Sequence, residues 1–133
     1  MRYRNRARLF RPRLAFAVLL ALALGAVDAA AQEVRLLVQR SPLAGFRYYE
    51  APAQFDRLKP GEILTLVREP ENPHDTNAVR VDWRGHKLGY VPRSQNAALA
   101  WALDGGQRLE ARIAQRRPHP NPRRRVEFEV FVR

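Results

Sequence analysis

A chain of 133 residues without a single cysteine is long enough for one domain with a modest core. It excludes disulfides, thiolate metal sites and thiol catalysis. Its 24 Lys and Arg against 13 Asp and Glu give a net charge of +11, which points to polyanionic partners without choosing among nucleic acid, lipid head groups and surface polymers.

The predicted elements begin with a leader. Arg2, Arg4, Arg6, Arg8, Arg11 and Arg13 precede an apolar run from Leu14 to Val27. Ala29-Ala30-Ala31 then offers a small-residue cleavage site between Ala31 and Gln32. The run is short of the roughly 20 residues of a membrane span. Residues 1–31 therefore read as a secretory signal peptide and 32–133 as the mature domain, periplasmic or secreted. No Arg-Arg pair precedes the run, which favours the general secretion route. An uncleaved anchor is the alternative, and the only one that gives the chain a membrane contact. A misassigned start would leave the protein cytoplasmic. Without the leader, 18 basic and 12 acidic residues remain, a net charge of +6.

Glu33–Gln39 alternates loosely through Val34, Leu36 and Val38 and reads as the first strand, with Ser41–Gly45 as a connection. Phe46-Arg47-Tyr48-Tyr49 places an aromatic pair beside an arginine. Single-stranded nucleic-acid sites use that combination, the ring for a base and the guanidinium for a phosphate. The structural alternative puts Phe46 and one tyrosine in the core and the other tyrosine on a rim. Ala51–Leu58 reads as a short helix with Pro52 near its start and Phe55 and Leu58 inward. Lys59-Pro60-Gly61-Glu62 is a turn.

From Leu66 to Pro92 the sequence reads strand, polar turn, strand, tight turn, strand. Val79, Val81 and Trp83 alternate with Arg80, Asp82 and Arg84, the period of a strand with one buried face. Arg84-Gly85-His86 is the tight turn, with Gly85 free to take a positive φ. The polar turn is Asn72-Pro73-His74-Asp75-Thr76-Asn77. Its Asp75 and Asn77 are suited to accept hydrogen bonds from nearby backbone N–H groups. The six residues either only fold the loop or also present an amide, an imidazole and a carboxylate at a rim.

Ser94 is positioned to cap a helix running to about Asp104 and stopped by Gly105-Gly106. Ala97, Ala98, Leu99, Ala100, Ala102 and Leu103 make it mostly buried, and Trp101, among aliphatic neighbours, is expected in the core or as a lid. Leu109, Ala111 and Ile113 mark a strand. Gln115–Arg125 is a loop with Pro118, Pro120 and Pro122, which cannot donate to a sheet. Its arginines, Arg116, Arg117, Arg123, Arg124 and Arg125, form either a solvated connection or a phosphate clamp. Val126, Phe128, Val130 and Val132 mark the last strand.

REPENPHDTNAVRV, then GHKLGYVPR, then NAALAWALDGG resembles the HIRAN family over roughly Val34 to Val132. The resemblance implies a small OB-like or SH3-like β-barrel that binds DNA. It implies one clear α-helix at about 94–104, and Ala51–Leu58 adds a short one at about 51–58. DNA-binding members capture the 3′ end of a single strand. By this resemblance Arg47, Tyr48, Asn72, Asp75 and Arg93 match the contacting residues in type, and His74 and Tyr90 in position only. The DNA-binding members carry tyrosine where His74 stands and histidine where Tyr90 stands. A further family aromatic near the last hairpin is replaced here by the arginine loop. The exchange and the lost ring bear on 3′-end specificity more than on phosphate binding.

Catalysis finds little support. His74, His86 and His119 lie in three separate turns, and no G-x-S-x-G or glycine-rich phosphate loop occurs. No cofactor and no metal is expected. Hydrolase activity and zinc binding belong to helicase-type and RING-type domains often fused to HIRAN modules, whose motifs this sequence does not carry. The expected function is thus a nucleic-acid-binding module without its own catalysis. The alternative is an exported envelope module that binds a protein or a polyanionic polymer.

Overall fold

The computed structural model describes residues 34–133; the expected leader and its Ala31–Gln32 cleavage point lie outside them. Six strands form an antiparallel sheet in the order β1-β6-β5-β2-β3-β4. They are β1 (Leu36–Pro42), β2 (Ile63–Glu69), β3 (Ala78–Trp83), β4 (His86–Tyr90), β5 (Leu109–Arg116) and β6 (Val126–Val132). Two α-helices join them, α1 (Ala51–Gln54) and α2 (Ala97–Asp104). The fold is mainly β and barrel-like, with one clear helix and one short one. Among the described residues, no helix is long and apolar enough to cross a membrane.

The alternation in β3 holds: Val79, Val81 and Trp83 are buried. They join Leu43, Leu64, Ile113, Val126, Phe128 and Val130 in one core. The turn from β3 to β4 needs two positive φ values, 46° at Arg84 and 80° at Gly85. This is the turn whose twist matches that of the flanking strands. Bulges interrupt the ladders of β1 with β6, β3 with β4 and β5 with β6. Each adds local twist and bends the sheet.

The curved sheet closes through one bridge. Ala44, just past β1, exchanges both backbone hydrogen bonds with Tyr90 at the end of β4, at 2.9 and 3.0 Å. The approach is possible because residue 89 is glycine: a Cβ there would collide with the Ala44 carbonyl oxygen.

Four expectations need correcting. The first strand starts at Leu36 and runs through Ser41 to Pro42, and Val34, Leu36 and Val38 are exposed. Among the described residues that end of β1 pairs only with β6, and its side chains reach past the core. Ser94 does not cap the helix. Arg93–Gln95 is a 3-10 turn, and α2 begins after Asn96, whose side chain caps nothing. Ala97 and Ala98 face solvent, whereas Leu99 and Ala100 enter the core and Leu103 packs partly against it. Trp101 is 80% exposed and belongs to neither core nor lid. Two turns of helix bury a single stripe, and Trp101 falls outside it.

Candidate nucleic-acid interface

The polar turn between β2 and β3 is built from its own side chains. Asn72 Oδ1 accepts from the His74 N–H at 2.9 Å, and Asp75 Oδ1 from the Asn77 N–H at 2.9 Å. The second oxygen of Asp75 reaches out of the turn. It accepts from Nδ2 of the buried Asn96 at 2.7 Å, with Arg93 Nε at 3.8 Å. This ties the turn to the start of α2 and brings Asp75 and Arg93 together. The His74 ring is exposed and makes no hydrogen bond among the described residues.

Asn72 and Tyr90 are joined by a residue that the sequence reading missed. Glu69 closes β2; its Oε1 accepts from Tyr90 Oη at 2.8 Å and from Asn72 Nδ2 at 3.1 Å. Its Oε2 accepts from Arg80 Nη1 at 2.9 Å. Partial burial alone would raise the Glu69 pKa, but the hydrogen bonds from Tyr90, Asn72 and Arg80 outweigh it and hold the carboxyl below its ordinary value. Burial, reinforced by the bond to Glu69, pushes the Tyr90 phenol up, so it remains a donor well into the alkaline range. Completing the period-2 pattern would have found Glu69, because Arg80 and Tyr90 are cross-strand partners on the outward face and Glu69 lies diagonal to Arg80.

Arg47 and Tyr48 sit in a 3-10 turn (Phe46–Tyr48) entered through Gly45 at φ 75°. Phe46 plugs into the core and anchors the turn. Tyr48 is 77% exposed and Tyr49 sits half out, so neither tyrosine belongs to the core. The Arg47 guanidinium has no side-chain partner among the described residues. The Tyr49 ring meets Tyr90 edge-on at 5.6 Å, and Lys87 Nζ lies 4.0 Å from the Tyr49 centroid and 4.7 Å from that of Tyr90. Together with the Ala44–Tyr90 bridge, this connects the Arg47–Tyr48 turn to the Glu69 network.

The arginine loop is shorter than expected, because Gln115 and Arg116 end β5 and pair with Glu127 and Val126, ahead of the three prolines. Its five arginines divide in two. Arg116 donates to the Phe55 carbonyl at 3.0 Å, Arg117 Nε to the Arg124 carbonyl at 3.2 Å and Arg125 Nε to the His119 carbonyl at 2.7 Å. Those three hold the loop in shape. The guanidinium groups of Arg123 and Arg124 have no partner among the described residues. Arg123 lines a groove with Asn121 and Pro122 on one side and Gly45, Arg47 and Tyr48 on the other. Tyr48 thus shares a groove with the unengaged side chains of Arg47 and Arg123, a combination suited to a ring stack with phosphate contacts nearby.

The family model of the HIRAN domain matches residues 36–133. The helicase-like transcription factor of Oryctolagus cuniculus is 36% identical over 66 residues, which are 49% of this chain and 6% of that protein. The chain therefore spans only a small part of the length of this curated relative. A solved protein from Lactobacillus plantarum superposes with a TM-score of 0.65 at 29% identity, over 74% of this chain and 95% of its own. The HIRAN domain of human HLTF superposes at 0.56 with 22% identity, over 77% of this chain and 81% of its own. This last likeness speaks to the fold.

Proposed function

The chain belongs to the HIRAN domain family, and from that membership we propose that it is a nucleic-acid-binding module that takes a single strand by its 3′ end and performs no catalysis. The observation that carries the reading is the exposed Tyr48 ring in one groove with Arg47 and Arg123, three side chains that spend no hydrogen bond on the fold among the described residues. A base stacks on Tyr48 while Arg47 and Arg123 receive phosphates. Asp75 supplies the end recognition. Each of its oxygens accepts one hydrogen bond, and an ionised carboxylate has about four acceptor positions, so room remains for a terminal hydroxyl. His74 and Arg93 flank it, and Asn72 and Tyr90 hold the rim in shape through Glu69.

The test is fluorescence anisotropy with oligonucleotides ending in a 3′-hydroxyl or a 3′-phosphate, across a salt series. Tyr48→Ala costs about 1–3 kcal/mol of binding to both. Asp75→Asn keeps an acceptor for the turn but removes the charge. It weakens binding to the 3′-hydroxyl strand and spares, or improves, binding to the phosphorylated one. Equal wild-type affinity for both ends would remove end capture and leave polyanion binding. No binding at low salt would move the assignment to an exported envelope module, the reading favoured by the arginine-rich leader.

A further inference from the structure

A second cleft, of about 510 Å³, shares Phe46 with the Tyr48 groove. Its floor is Phe46 and Phe55, set edge to face at 5.8 Å. Pro52 walls one side, and Pro118 and His119 the other. Two guanidinium groups brace the rings, Arg116 at 5.2 Å from the Phe55 centroid and Arg125 at 5.2 Å from that of Phe46. No carboxylate lines it.

Its polar chemistry has one sign. His119 Nδ1 accepts the Asn121 N–H at 2.9 Å, so the neutral imidazole carries its proton on Nε2 and is a donor there. Arg125 spends only Nε on the His119 carbonyl and adds further N–H groups. Aromatic and proline surfaces with donors but no acceptor side chain suit a flat ring whose edge bears acceptors, and every nucleobase is such a ring. Positive charge around the cleft matches a ligand that arrives on a phosphate chain.

We propose that this cleft is a second base subsite, which takes an unpaired base of the same strand that stacks on Tyr48. The inference rests on the nucleic-acid reading above and extends its footprint. Continuity supports it: Phe46 lines both the cleft and the Tyr48 groove, and the 118–125 loop walls both. Arg123, which lines the groove from that loop, has a side chain free to meet a phosphate of a strand crossing between the two. A proline-rich peptide is the competing occupant for an aromatic groove, but it has no charge to meet the arginines.

The experiment uses the full chain and oligothymidylates of eight nucleotides, each with one abasic position moved stepwise from the 3′ end. In the wild type, two separate positions should each lose about five- to a hundredfold in affinity when the base is removed. Pro52 and Pro118 are exposed on opposite walls, so Pro52→Glu and Pro118→Glu each place a carboxylate in the cleft without emptying the core. Either variant should abolish the sensitivity of one position and keep that of the other, which Tyr48→Ala removes. A single sensitive position in the wild type, or two that persist in both variants, overturns the second subsite while the nucleic-acid reading stands. No binding to any oligothymidylate overturns both.

Discussion

The carboxylate of Glu69 decides whether the rim keeps its shape. Its three donors come from Asn72, Arg80 and Tyr90, which reach it from the polar turn, β3 and β4. Because these bonds hold its pKa below the ordinary 4.5, ionised Glu69 stabilises the folded state above that value. The contribution is lost as pH falls from about 4.5 through the lower folded-state value. Glu69→Gln should cost about 1–3 kcal/mol at pH 7, the range for hydrogen bonds to a charged group and for a buried partner left unmet. Its deficit against the wild type should shrink as pH drops through that window. Urea midpoints at pH 7 and pH 3 measure it; an equal deficit at both would show that the ionised form is not what stabilises. Residue types revealed Asp75 as a turn-former, because its Asn77 contact is local. Its bond to Asn96 crosses 21 positions, and no local pattern encodes it.

At the scale of elements, β4 closes the barrel and α2 lies over β2 and β3. Gly89→Ala forces a methyl group into the Ala44 carbonyl and opens the bridge that positions Tyr90. It should destabilise by about 1–3 kcal/mol or more, as overpacking does. Trp101→Ala, despite the larger change in volume, should stay within about 0.5 kcal/mol because the ring lies in solvent. Thermal or urea unfolding of the two variants measures this, and a Trp101→Ala loss above about 1 kcal/mol would mean that the ring packs. The same contrast explains what could be read from sequence. Val79, Val81 and Trp83 were legible because β3 lies between β2 and β4 and buries every second side chain. Val34, Leu36 and Val38 alternate as well, but among the described residues no further strand covers them. In α2 nearly every position is apolar, so the sequence names no buried face; packing against β2 and β3 selects Leu99 and Ala100.

The whole molecule carries its positive charge unevenly in function. Five arginines in one loop look equivalent in sequence, yet the fold uses Arg116, Arg117 and Arg125 as struts and leaves Arg123 and Arg124 available. A strut spends part of its hydrogen-bonding capacity on carbonyl groups, and Arg116 and Arg125 also lie against rings. A free guanidinium breaks no hydrogen bond within the protein when it meets a phosphate, and loses only hydration and rotamer freedom. For a single strand, log K falls against log salt with a slope of about −0.7 per phosphate neutralised. Arg123→Ala and Arg124→Ala should each flatten that slope by up to about 0.7 and leave the melting curve unchanged. Arg125→Ala should do the reverse. It loses the bond to the His119 carbonyl and the contact with Phe46, so stability should fall by about 1–2 kcal/mol. Its salt slope should change less than that of Arg123→Ala. Binding isotherms at five salt concentrations, paired with thermal melts of the same preparations, separate the two classes. If Arg125→Ala flattens the slope as much as Arg123→Ala does, with no shift in its melt, the loop is a uniform charged surface and the division into struts and contacts is wrong.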